Sequence, residues 1–367
     1  MIAIYSNNYI TDYYIGQLKF DDTYQVYHSV DQYQTARATI KLAFVNHINS
    51  YEPPASEQQR LYDVIDGRKF SQEIGQTKTC SNLVFAFDNE IHPYLLEIFQ
   101  RHNQSNVYWA IPGHSNSVDV LDQSQVLLWN EHFNLMTYPY HSMPHKLAQL
   151  QHNTVKPMYF DALLGTVKPH RNFVYDLIQI CNLQNKILTN YQNQGYGKFR
   201  ETGDWESDIE HIDDGQESRS TNHVHYQGQL LALCRILPIE IYNRAAYSLV
   251  TETGTHNDYS FFTEKTARPI LARRLFVMFS GRGFLQNLRS QGFKTFDHVI
   301  DESYDLIYNE HDRWSAAFEQ VQRLCDLDQT QVFEKIAPIV EHNYNLLMNT
   351  NWTQHMLDQL QQKINHI

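Results

Sequence analysis

The chain has 367 residues, 42% hydrophobic and 19% charged, with a formal net charge of −12, which is enough length and apolar content for two domains with cores of their own. No apolar run approaches the ~20 residues of a membrane span, and the opening residues 1–14 lack the basic flank and small-residue cleavage site of a signal peptide. The four cysteines (Cys80, Cys181, Cys234, Cys325) are far apart and form no CxxC, so reduced thiols and a cytoplasmic location are expected.

In chain order, short apolar runs closed by polar or turn residues predict strands over 2–6, 83–88, 107–111 and 126–130. Helices are predicted between them, over 31–49, where TARATIKLAFVNHI has helical spacing, and over 93–102. Asp88, Glu90, His114 and Glu131 then follow strand ends, where loops carry function. Residues 152–157 read as the crossing between two halves. A strand over 158–164 ends at Gly165, a helix over 168–182 opens on Pro169, and a strand covers 186–189. The polar segment 192–222 predicts a long acidic loop: residues 201–220 hold eight acids against Arg219, so −7 of the −12 net charge lies there and −5 elsewhere. The type of 223–238 stays open.

From residue 246 the alternation resumes. A strand over 246–250 reaches Glu252, a polar loop follows, and Phe262-Thr263-Glu264-Lys265-Thr266 opens a helix. A second apolar run, 275–279, ends at Ser280-Gly281-Arg282-Gly283. This is the pattern of a parallel α/β domain, whose ligand sits at the carboxyl ends of its strands. Lys265, Arg268, Arg273, Arg274, Arg282, Arg289 and Lys294 fall in a stretch without an acid, which predicts a local positive field suited to a diphosphate. Solvated basic helix faces are the plain alternative. The tail predicts three helices, over 312–327, 330–348 and 353–364. They are expected to pack on the C-terminal half, with the last reaching back to the first.

A sugar nucleotide asks for carboxylates to accept hydrogen bonds from ribose hydroxyls, and for cations or a helix N-terminus at the diphosphate. The 263–266 segment puts both at one helix start: Thr263 to cap, Glu264 for ribose, Lys265 for phosphate, and Arg268 four residues on along the same face. A capped helix with an ordinary i,i+4 Glu–Arg pair would look the same.

Phe262-Thr263-Glu264-Lys265-Thr266, preceded by Glu252 and followed by a strand and a Gly-rich turn, resembles the donor-binding motif of fucosyltransferase-like glycosyltransferases. The resemblance covers about 60 residues. It implies a GT-B fold, two Rossmann-like domains facing a cleft, here residues 1–152 and 153–367 with the helical tail. It also implies donor binding by the second domain, with Glu264 on the ribose, Lys265 near phosphate, and Glu252 and Tyr259 at the positions just before the helix. Arg171, in Lys168-Pro169-His170-Arg171, matches a basic donor contact; a proline-initiated helix with exposed basic residues is the alternative. From Arg268-Pro269-Ile270 onward the sequence departs from the fucosyl pattern, so GDP-fucose does not carry over.

An inverting transfer needs a base for the acceptor proton, and Asp88, Glu90, His114 and Glu131 are the candidates. Asp326-Leu327-Asp328 sits between helices and reads as a turn with an N-cap, not a metal motif. The expected activity is therefore metal-independent transfer of a sugar from a nucleotide sugar to a glycan. A phage-type enzyme acting on a modified base in DNA and a non-catalytic nucleotide- or sugar-binding module are the rivals.

Overall fold

The computed structural model describes residues 1–47, 68–88, 93–116, 121–192, 209–211 and 223–367. Most of the acidic 192–222 segment, and Glu90, lie outside them. The chain divides into two compact units, residues 1–131 with 351–367, and residues 132–350. That division falls at 131/132, where the sequence reading placed it at 152/153.

The first unit is built on a six-stranded parallel sheet: β1 (Ile2–Ser6), β2 (Tyr24–Tyr27), β3 (Ile40–Asn46), β4 (Leu83–Phe87), β5 (Val107–Ile111) and β6 (Val126–Leu128), in the order β2-β1-β3-β4-β5-β6. Four of these strands are legible as apolar runs. β3 is not: the sequence predicts a helix over 31–49, whereas a helix covers only Val30–Thr35 and β3 follows. Its run Leu42–Val45 is wholly buried and pairs with β1 on one side and β4 on the other. A short apolar run buried on both faces has no period that separates strand from helix. The helix Tyr9–Gln17 also goes unforeseen. It opens on a capping box in which Asn8 and Thr11 satisfy each other's orphan backbone groups.

One face of this sheet is covered partly from the far end of the chain. Met356, Leu357 and Leu360 of the helix Trp352–Ile364 join Ile4, Phe44, Phe87 and Trp129 in a single core. Fully burying three such side chains contributes roughly 5–8 kcal/mol of transfer free energy, which is why the last helix belongs to the first unit.

The second unit carries a four-stranded parallel sheet. Its strands are β7 (Met158–Thr166), β8 (Ile187–Gln192), β9 (Ala245–Thr251) and β10 (Phe276–Phe279), ordered β10-β9-β7-β8. β9 is buried along its whole length, as a strand flanked on both edges and covered on both faces must be. β7 runs through Gly165 instead of ending there: a register shift between Leu163 and Gly165 marks a bulge, and Gly165 holds φ +64. Helix Pro169–Ile180 follows β7, with proline in its first turn as the sequence predicts. Residues 223–226 and 229–232 form an antiparallel pair of strands. The helices Glu310–Leu324 and Gln329–Asn349 complete the unit, and Asp328 caps the second of them. Asp326 instead pairs with Lys186 at 3.0 Å, so the DxD stretch is a capped turn. Among the described residues, no helix is long and apolar enough to cross a membrane.

Candidate functional site

β9 delivers Glu252 to the carboxyl edge of the second sheet. The residue is 0% exposed. Its carboxylate accepts from Thr253 N (2.8 Å), Thr263 N (3.1 Å), Thr263 Oγ1 (2.7 Å) and Thr266 Oγ1 (2.5 Å). Its own carbonyl accepts from His170 Nε2 at 2.8 Å. Burial, with Arg171, Lys168 and Lys265 nearby, drops His170 to about 3, so the ring is neutral and donates. Both Glu252 oxygens are thus committed inward. Glu252 positions the loop and the next helix, and sequence reasoning, which grouped it with the ligand-facing carboxylates, saw the residue without its partners.

Thr263 caps the helix Glu264–Leu271, accepting from Lys265 N at 3.2 Å. Beside it stand Glu264 and Lys265, with side chains 15% and 24% exposed. Lys265 Nζ donates to Glu264 Oε1 (2.6 Å) and to Thr253 Oγ1 (3.0 Å). Burial by itself would raise Glu264. Lys265, Arg268 and His132, whose Nδ1 lies 3.9 Å from Glu264 Oε2, outweigh it and hold the carboxyl well below its ordinary range. Glu264 is therefore ionised across physiological pH. Arg268 is buried one turn further on and donates to Cys234 O at 2.7 Å.

A second helix start meets the same loop. Lys168 Nζ donates to Thr253 O at 2.7 Å, just before helix Pro169–Ile180. Arg171 is buried against the bulge, where a Cβ on Gly165 would lie 3.5 Å from its Nη1. A small recess lined by Asp161, Ser248, Thr251, Lys265 and Arg268 lies beneath. Two helix N-termini, two lysines, two arginines and one ionised, partly exposed carboxylate thus converge on the Glu252–Thr253 corner. Such a set can bind an anion beside a pair of hydroxyls.

Three more arginines of the expected basic field are paired within the fold. Arg274 donates to Asp161, Ser248 and three backbone carbonyls. Arg273 pairs with Glu341, and Arg289 with Glu302. The turn after β10 offers no open helix end either: Asp305 accepts from Leu285 N and Gln286 N at the start of helix Phe284–Ser290. Arg282 is exposed on that turn, with Nε donating to Leu306 O. Gly281 is required there, since a Cβ would come within 1.9 Å of His256 O. Tyr259 is buried and stacks on His256.

In the first unit, Asp88 follows β4 and His47 follows β3, both buried, with Asp88 Oδ2 2.8 Å from His47 Nδ1. His47 is missed in the sequence because its strand reads as a helix; as a strand, β3 would place it beside Asp88 at once. His114 is lowered by burial to about 4, so it is neutral at physiological pH. Glu131 opens the helix Glu131–Ser142, which also escapes the sequence reading and supplies His132. Among the described residues, no group of three or more His, Cys, Asp or Glu side chains is arranged to hold a metal ion.

No known family profile matches the chain, and no curated protein matches it. Among solved structures, a crystal structure of an alpha1,3-fucosyltransferase with GDP aligns over 96% of this chain and 92% of its own length, at 10% identity and a TM-score of 0.27; a likeness of that degree does not establish a shared fold.

Proposed function

We propose that the chain is a glycosyltransferase of the GT-B class that holds a nucleotide-sugar donor at the carboxyl edge of the second sheet. The observation that carries this reading is the Glu264–Lys265 pair: a carboxylate kept ionised and partly exposed, 2.6 Å from its lysine, at a capped helix start. Glu264 would accept from the vicinal ribose hydroxyls, while Lys265 and the two helix N-termini would face the diphosphate. Arg171 and Arg268, buried behind, would add to the field, and Arg282 would stand on the neighbouring turn. Tyr259 and Thr263 would hold the loop. Cations that neutralise the departing diphosphate would do the work of a metal, so activity should persist in EDTA; its loss there, with recovery on adding a divalent cation, would remove that part of the reading. The acceptor, a glycan in this reading, would give its proton to a base, for which Asp88, His114 and Glu90 are the candidates.

The deciding experiment is a thermal-shift screen against UDP, GDP, CMP and dTDP sugars, followed by product analysis with a glycan panel and with modified-base DNA. A stabilising donor that is turned over supports the reading, and the Glu264→Gln and Lys265→Ala variants should each lose that stabilisation while staying folded. Transfer to DNA would replace the glycan acceptor. Binding without any turnover would make the chain a nucleotide-binding module.

A further inference from the structure

The second unit has a recess at the opposite, amino-terminal edge of its sheet. It is lined by Gln151, His152, Lys156, Arg273 and Arg274 over a floor that includes Phe333. Lys156 lies just before β7, and Arg274 just before β10. The charges there do not balance. Arg274 has Asp161 at 2.8 Å, and Arg273 has Glu341 at 2.7 Å while its guanidinium stacks 3.4 Å from the ring centre of Tyr344. Lys156 is 6% exposed, yet its ammonium meets the neutral Gln151 Oε1 at 3.2 Å and no carboxylate within ion-pair distance among the described residues. A buried ammonium without a counter-charge is costly. Arg274 adds to the strain: burial and then that guanidinium lower Lys156 to about 8. His152, which burial and the charges of Arg273, Lys156 and Arg274 lower to about 4, is neutral and able to donate one hydrogen bond without adding charge.

We propose that this recess is an anion site, in which Lys156, Arg273 and His152 take a small oxyanion with the charge and shape of phosphate. The exposed rim at Gln151 and Asn153 lets the ion enter from solvent. The space is narrow, which limits the occupant to an inorganic ion or to a terminal phosphate whose remainder stays outside. The bound anion supplies the counter-charge that Lys156 lacks and ties the 150–156 segment to the 272–274 turn, so it stabilises the unit from the edge away from Glu264.

The test is calorimetric titration of the full chain with inorganic phosphate at fixed ionic strength. Saturable binding is expected. Lys156→Met should weaken it by about tenfold or more, the loss of a charge-assisted contact. Where Lys156→Met does not fold, Arg273→Gln at the rim should weaken binding several-fold. Absence of saturable binding, or equal binding by the Lys156 or Arg273 variant, would overturn the proposal. The response of Lys156→Met to nucleotides is a separate reading, which reports on the donor site alone.

Discussion

Two glutamates twelve residues apart show how exposure and partners divide one residue type into two roles. Glu252 accepts four hydrogen bonds and is 0% exposed, whereas Glu264 pairs with one lysine and keeps 15% of its side chain exposed. Glu252→Ala strands two backbone or hydroxyl donors at the least, so it should lower unfolding stability by roughly 3 kcal/mol or more. Glu264→Gln, which keeps the side chain's shape and one acceptor oxygen, should cost less than Glu252→Ala yet abolish nucleotide stabilisation. Urea unfolding with and without nucleotide separates the two; matching stability losses would deny Glu264 a ligand role. A third residue allows a pH test. Burial, then Lys78 and Arg101, lower His102 from 6.5 to about 4, and its Nε2 meets Ser71 Oγ at 2.9 Å. Between those values the unfolded chain binds the proton and the folded chain does not, so stability is lost as pH falls from 6.5 towards 4. The wild-type slope in that window should exceed that of His102→Gln by up to about 1.4 kcal/mol per pH unit. Parallel slopes would show that His102 titrates normally.

At the scale of the element, the helix Glu264–Leu271 depends on its cap. Thr263 accepts from Lys265 N and donates to Glu252, so Thr263→Ala should cost about 1–2 kcal/mol and weaken nucleotide binding together with stability, with Thr263→Ser restoring both. A binding loss without a stability loss would mean that Thr263 touches the ligand directly. This start is also where the sequence was most legible. The Thr-Glu-Lys order, the apolar run before it and Pro169 in the other helix are local signals that act within one turn. Glu252's inward role and Asp305's cap on Phe284–Ser290 were not legible, because each joins residues 11 to 20 positions apart through a loop whose path no local propensity sets. Arg273, Arg274 and Arg289 illustrate the same limit: counted along the chain they made a positive field, and folded they are paired one by one.

On the scale of the whole molecule, the chain's last helix stabilises its first sheet. Ending the chain at Thr350 removes Met356, Leu357 and Leu360 from the first unit's core. Amide exchange in Ile40–Asn46 and Leu83–Phe87 should then rise by orders of magnitude, while β9 keeps its protection; unchanged exchange in the first sheet would show that its core stands without the helix. The sequence by itself determined the parallel α/β class, most strand positions, the tail helices and the capped Glu264–Lys265 start, since these follow from apolar runs and short-range capping. The last helix's return to the first unit is also expected from the sequence, whereas packing alone shows that β3 is a central strand, that Glu252 is a buried organiser, and that Lys156 has no carboxylate within ion-pair distance among the described residues. Each of those depends on which distant surfaces bury one another, and burial is a property of the packed chain that no window of sequence contains.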